Sequence, residues 1–280
     1  MEPHYLIPAL LGSYKTFLTQ EERAAATVEK YMRDLHRFSL AMKRRAITKE
    51  AVIAYKKALL CQYAASSANS MLAPVNGLFG FLGWHECRVR PVRIQHNMYR
   101  DSRKELSREE YYSLLKTAKE QGKTCLYHIL ETIGSTGIRI SELRFITVQA
   151  VAQGKAEVRN KGKSRTVFLS KQLCMRLKEY CRVRRIRRGS VFVTRTGRAL
   201  DRSNIWTMMK ALCKRAGVAR EKVFPHNLRH LFALTFYRKE RDLDHLAAIL
   251  GHSNINTTRI YVQSSGAECR QQMELLHLMI

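Results

Sequence analysis

The chain has 280 residues, with 50 Lys and Arg against 23 Asp and Glu, a net charge of +27 at pH 7 and a pI near 10.2. That charge favours a polyanionic partner, because phosphates neutralise it and release their counterions, while a hydrophobic fraction of 45% excludes a disordered basic tail. Seven scattered cysteines without a C-x-x-C pair exclude a disulfide framework or zinc ribbon, and neither a secretory leader nor a membrane span is expected, so the chain is read as cytoplasmic with reduced thiols.

The first elements are helices. Val28, Tyr31, Met32, Leu35, Phe38 and Ala41 recur at three- and four-residue spacing, which predicts an amphipathic helix over Ala25 to Met42. A second helix is expected from Thr48, and a third around Ser67 to Trp84 with Met71, Val75, Leu78, Phe79 and Leu82 inward. Pro74 would kink that third helix or stand near its start. The polar run Tyr99 to Glu105 has no apolar periodicity, and the domain boundary is placed there, dividing residues 1–103 from 104–280. Residues 1–105 carry 17 basic and 9 acidic side chains and residues 106–280 carry 33 and 14, so a polyanion could be gripped from both sides.

The second half mixes types. Ser107-Arg108-Glu109-Glu110 is a capping box, opening a helix that carries Tyr112, Leu114 and Leu115 inward. A helix from Cys125 to Ile133 is expected to end before Gly134. Alternating segments follow at Phe145–Val151, Ala156–Arg159 and Thr166–Leu169, the last two joined by a hairpin turn over residues 160–165. Helices are expected from Lys171, Ser203, Pro225 and Asp242, and a strand at Val191–Val193.

Five places carry chemistry. Thr136 reads as the N-cap of a helix whose first turn holds Arg139, where a guanidinium could grip two phosphate oxygens with Glu142 orienting it. Pro225 at a first helical position puts His226, Arg229 and His230 on one face; the four-residue spacing of the two histidines also suits a metal, although Asn227 stands where a metalloprotease has glutamate. Gly251 reads as a left-handed cap, with His252 at the carbonyl end of its helix favoured as a protonated hydrogen-bond donor. Tyr261 follows nine residues later. Lys161 lies at the hairpin tip with Lys163 and Arg165 close by, and Arg182, Arg184, Arg185, Arg187 and Arg188 form a solvated face or a phosphate-contact stripe.

Together and in this order the boxes resemble the tyrosine recombinases, the phage-integrase and Xer-like site-specific DNA recombinases. The family pattern is Arg in TG-x-R-x-x-E-L, Lys on a β-hairpin, H-x-L-R-H, L-G-H and a nucleophilic Tyr. Arg139, Lys161, His226, Arg229, His252 and Tyr261 match it in context. The resemblance implies a mainly α fold with a small antiparallel β-sheet, a helical core-binding domain followed by an α+β catalytic domain. Thr27, Tyr31, Leu35 and Phe38 look like the first helix of the former. The hairpin Lys-Gly-Lys-Ser-Arg is shorter than the common Lys-Gly-x-Lys-x-Arg, leaving Lys161 and Lys163 as alternatives for the general acid, and no arm-binding domain is expected before residue 15.

The implied chemistry is attack of Tyr261 on a DNA phosphorus with His226 as base, Arg139, Arg229 and His252 stabilising the phosphorane, and the hairpin lysine protonating the leaving 5′ oxygen. Neither cofactor nor metal is expected. A 3′-phosphotyrosine link, a Holliday junction and a tetramer on two double-stranded DNA sites would follow, with residues 266–280 docking on a neighbouring protomer and nucleoid association in the cytoplasm. Glu142 and His230 are expected to support the site, and Lys163, Arg165 and the five arginines of 182–188 to contact DNA. Three other readings stay open: a type IB topoisomerase with the same chemistry, a DNA-binding regulator without catalysis, and a metallonuclease built on His226 and His230.

Overall fold

The computed structural model describes residues 4–43, 45–94, 102–160, 162–194, 196–262 and 266–276. Its contacts divide the chain into two compact units, residues 1–96 and 97–280.

In the first unit α1 (Pro8–Gln20) precedes every helix expected from the sequence. It holds a single charged residue, Lys15, so its polar and apolar faces contrast weakly, yet Tyr14 and Leu18 are buried. The next helix, α2 (Ala25–Met42), buries Val28, Leu35 and Phe38, with Met42 rather than Ala41 as the last inward residue. It is therefore not the first helix of its unit. Helix α3 (Lys49–Gln62) opens where the Thr48 hydroxyl accepts from the Ala51 N–H at 3.3 Å.

Pro74 lies inside α4 (Ala65–Phe81), nine residues past its start rather than near it. Proline has no N–H for the carbonyl four residues back, and that freed carbonyl, on Ser70, accepts instead from Lys30 Nζ at 2.9 Å. Two asparagines seven residues apart on α4 then bind the extended chain beyond it. Asn76 exchanges two hydrogen bonds with the Val89 backbone (2.8 and 3.0 Å) and Asn69 two with Val92 (2.9 and 2.8 Å).

The second unit begins with α5 (Arg108–Glu120). The Ser107 hydroxyl accepts from the Glu110 N–H at 3.1 Å, and the Glu110 carboxylate accepts from the Ser107 N–H at 2.8 Å. Tyr112 is 54% exposed, contrary to expectation, and Tyr111 takes the inward place. Helix α6 (Thr124–Thr136) runs through Gly134 and ends at Gly137, which is left-handed at φ 63°. Gly134 is a packing position: a Cβ there would lie 2.5 Å from Tyr111 Oη.

Residues 145–151 are not a strand. They form the end of a 3₁₀ turn (Ile140–Phe145) and α7 (Val148–Gln153), because the Thr147 hydroxyl caps the Ala150 N–H at 3.0 Å and starts a helix. β1 (Lys155–Asn160) and β2 (Lys163–Phe168) pair antiparallel with Asn160 opposite Lys163, leaving a two-residue loop tighter than the expected one. Val191–Val193 makes no strand either; the neighbouring Ser190 and Val193 form isolated bridges to Thr147 and Ala199.

Capped helices complete the unit. Ser170 caps α8 (Lys171–Val183), Asp201 caps α9 (Arg202–Lys210), α10 (Cys213–Ala216) is short, and α11 (Pro225–Glu240) has its proline in the first turn. Asp242 caps α12 (Leu243–Leu250), and α13 (Ile255–Val262) and α14 (Gly266–Glu274) follow. The main core gathers Leu114, Leu126, Ile129, Leu130, Val158, Leu177 and Phe192. A separate small cluster joins Ala233 of α11, Leu246 and Leu250 of α12 and Tyr261 of α13. Among the described residues no helix is long and apolar enough to cross a membrane.

Candidate active site

The end of α12 organises the charges. Backbone N–H groups of Gly251 and His252 close back on Ala248 and Ala247, leaving the next three carbonyls exposed to other partners. Each takes an arginine: Ile249 O accepts from Arg165 (2.9 Å), Leu250 O from Arg229 (2.7 Å) and Gly251 O from Arg139 (3.4 Å). The negative end of a helix is a favourable seat for cations, so three guanidiniums from distant parts of the chain converge there. Arg229 is only 2% exposed and donates also to Gly137 O at 2.5 Å. Burial, then the neighbouring Arg139, lowers its pKa to about 10, which leaves it charged at neutral pH.

Thr136 is not an N-cap. It ends α6, its hydroxyl bonded to Thr132 O at 2.6 Å, and the left-handed Gly137 turns the chain so that Arg139 stands at the start of the 3₁₀ turn instead of in a helical first turn. Glu142, 1% exposed, lies between two arginines: Oε1 accepts from Arg139 (3.0 Å) and Oε2 from Arg165 (2.7 Å) and the Arg139 N–H (3.1 Å). Burial pushes its carboxyl up, but the Arg139 N–H and the two guanidinium charges outweigh that and hold its pKa below the usual carboxylate value.

Tyr261, 4% exposed, sits among three imidazoles. Its ring centroid is 5.6 Å from that of His226, 5.2 Å from His230 and 5.8 Å from His252, which it stacks at 20°. The phenol oxygen is 3.3 Å from His226 Nε2, and the Arg229 guanidinium stands close enough for the two groups to interact electrostatically. Burial first, then Arg229 and Arg139, lowers the pKa of His226, so its ring is neutral and able to accept a proton. His252 is not the protonated imidazole expected from its position. The carbonyls that would favour a cation are occupied by guanidiniums, and burial together with Arg229, Arg139 and Arg165 brings its pKa down to about 4. Arg229 Nη2 lies 2.9 Å from His252 Nε2, and Thr258 Oγ1 lies 2.8 Å from His252 Nδ1.

Residues 104–268 match the phage integrase family, and residues 11–86 match the phage integrase N-terminal SAM-like domain. The chain belongs to the phage integrase family. It is 26% identical over 280 residues to tyrosine recombinase XerA of Pyrococcus furiosus, covering 96% of this chain and 94% of that protein. It is 36% identical over 139 residues to tyrosine recombinase XerC of Pseudomonas entomophila, covering 48% and 46%. Among solved structures it is similar to a XerA recombinase (25% identity, TM-score 0.54, 97% of this chain and 99% of that one). It shares the fold of a lambda integrase dimer bound to a COC′ core site (17% identity, TM-score 0.76, 93% and 77%).

In this integrase-family chain five of the six residues expected to do chemistry, Arg139, His226, Arg229, His252 and Tyr261, meet around the end of α12. Lys161 lies outside the described residues. Arg165, expected on DNA, is turned inward against Glu142. Strand alternation carries the signal for this, since Arg165 shares a face with the buried Val167. The sequence marks Thr258 only as the last residue of the polar run 253–258 expected to hold or release Tyr261, with no role of its own. His230 pairs with Glu105 at 3.8 Å, and the Asn227 amide donates to Lys104 O and Lys222 O, which gives both helix neighbours of the site structural partners. Arg182 is held by Glu179 through two hydrogen bonds (2.8 and 2.7 Å), while Arg184, Arg185, Arg187 and Arg188 are exposed. Among the described residues one group of possible metal ligands, His4, Glu86 and Cys87, converges within 4.8 Å, outside this site. Burial raises the pKa of the Cys87 thiol, which donates to Ile47 O.

Proposed function

We propose that this chain cuts and rejoins DNA at a specific site through a transient 3′-phosphotyrosine bond to Tyr261. One observation carries the reading: a buried phenol 3.3 Å from a neutral imidazole, beside a buried guanidinium. A phenol is a poor nucleophile at neutral pH. His226 Nε2 takes its proton as the oxygen attacks phosphorus, and Arg229 and Arg139 receive the charge that grows on the non-bridging oxygens. Those guanidiniums fill the charge-stabilising role that a metal ion has in many phosphoryl transfers. Lys161 at the hairpin tip, or Lys163 beside it, protonates the leaving 5′ oxygen. The phosphotyrosine bond conserves the energy of the broken phosphodiester, so an incoming 5′-hydroxyl reverses the step on a new strand.

Residues 1–103 serve as the core-binding domain and 104–280 as the catalytic domain, gripping a duplex from two sides. Two rounds of exchange pass through a Holliday junction in a tetramer on two sites. The C-terminal segment, with Met273, Leu275 and Leu276 more than 60% exposed, supplies an apolar face for a neighbouring protomer. Action on double-stranded DNA in the cytoplasm would associate the protein with the nucleoid.

The test begins with the DNA recovered from cells by crosslinking to the full chain, its cleavage points mapped and rebuilt as a nicked duplex that traps the cut state. The wild-type chain should form a covalent adduct, in chelator as well as without it, and Tyr261→Phe should form none. An adduct that survives that substitution overturns the assignment. Relaxation of an arbitrary supercoiled plasmid by the monomer would favour a topoisomerase instead.

A further inference from the structure

We propose that Thr258 is a positioning residue of this site, its buried hydroxyl holding the Nδ1 edge of His252 and fixing which ring nitrogen faces the scissile phosphate. The inference rests on the phosphotyrosine reading above for its catalytic consequence, but its structural part stands on three contacts. Thr258 is fully buried, and its Oγ1 is 2.8 Å from His252 Nδ1. Arg229 Nη2 approaches His252 Nε2 at 2.9 Å. Thr258 and Tyr261 are three residues apart on α13, so the same bond hangs the nucleophile's helix on His252.

Donor and acceptor chemistry decides the tautomer. A guanidinium carries donors only, so Nε2 must accept from Arg229, and a neutral ring then carries its one proton on Nδ1 and gives it to Thr258 Oγ1. The ring is neutral because burial and three nearby guanidiniums disfavour its cation. A phosphate in the site would draw the Arg229 N–H to its own oxygens and leave Nε2 facing an anion. His252 then becomes useful only with its proton on Nε2. Exchange with solvent takes the proton from Nδ1 and returns one to Nε2, so the ring stays neutral, and the bare Nδ1 must now accept. A hydroxyl both accepts and donates, so Thr258 satisfies either form where a methyl could satisfy neither.

The experiment is nitrogen NMR of the full chain labelled at histidine, paired with single-turnover cleavage of the nicked duplex recovered from cells. In the DNA-free wild type His252 should show a protonated Nδ1 and an unprotonated Nε2. Thr258→Val should strand the Nδ1 proton without its acceptor, shifting the Nδ1 resonance, and cleave on the order of tenfold more slowly with DNA affinity unchanged, and Thr258→Ser should restore both. Thr258→Ala replaces the valine variant if circular dichroism shows the latter misfolded. A wild-type His252 protonated on Nε2, full cleavage by the variant lacking the hydroxyl, or a serine variant as slow as that one would overturn the proposal. A wild type that forms no adduct would overturn the recombinase reading alone, since the tautomer is read without DNA.

Discussion

Glu142 shows how much of the site depends on one carboxylate. It is buried and is shared by Arg139 and Arg165, so Glu142→Gln leaves two guanidiniums facing each other with one neutral amide between them. Removing one partner of a buried ion pair costs about 3 kcal/mol, and denaturant unfolding of the variant should show a loss of that size. Arg139 would also lose the group that orients it, and cleavage should fall on the order of 100-fold, which single-turnover kinetics would measure. The histidines set the pH dependence. His226 works as a base only when neutral, and burial with two nearby arginines holds its pKa below the ordinary value of 6.5. The acid limb of the cleavage rate should therefore lie below pH 6.5, and a midpoint above it would exclude His226 as the base. Stability follows the same sign. The unfolded chain binds protons at His226 and His252 that the folded chain refuses, so their contribution is complete above pH 6.5 and is lost as pH falls towards and through about 4, the value for His252.

At the scale of elements the turn after α6 links stability to the site. Gly137 is left-handed, and a Cβ on it would run into the Phe232 ring and come within 2.9 Å of Leu250, while its carbonyl accepts from Arg229. Gly137→Ala should cost about 2–4 kcal/mol from backbone strain and overpacking, lower Tm by on the order of 5–10 °C and slow cleavage as well, because the same turn seats the arginine. Where local chemistry decides an element, the sequence is readable. Ser107, Thr48, Ser170 and Asp242 cap the helices expected to follow them, and the stripe on α2 marks its buried face. Where a neighbour decides, it is not. The apolar run 145–151 alternates like a strand but is capped into a helix by Thr147, and Gly134 reads as a stop only if Tyr111 is unknown. The ordered boxes could name Arg139, His226, Arg229, His252 and Tyr261. That Arg229 would be buried on a carbonyl, that Arg165 would turn inward and that His252 would be neutral all depend on the end of α12, an element more than 80 residues along the chain from Arg165 and more than 100 from Arg139.

At the scale of the whole molecule, the charge of +27 divides by what each cation touches. Arg139, Arg165 and Arg229 are bound to helix carbonyls and to Glu142, and their number is small beside 50 basic residues. Arg184, Arg185, Arg187 and Arg188 differ in kind: they are exposed, follow one another past the end of α8, and Arg185 adopts a left-handed φ of 56° that turns the chain between them. Cations that merely solvate a surface release no counterions when DNA binds, whereas each one that neutralises a phosphate adds ~0.9 to the slope of log affinity against log salt. Changing all four to alanine should therefore make that slope shallower by up to roughly 3.6 and weaken binding most at low salt. Because the ring and hydrogen-bond partners of Tyr261 are His226, His230 and His252 and none of these arginines, adduct formation at saturating protein should persist. An unchanged slope would assign these arginines to solvent and move the grip to other basic residues. A slope that flattens together with loss of the adduct would instead mean that the stripe helps to seat the scissile phosphate against Arg139 and Arg229.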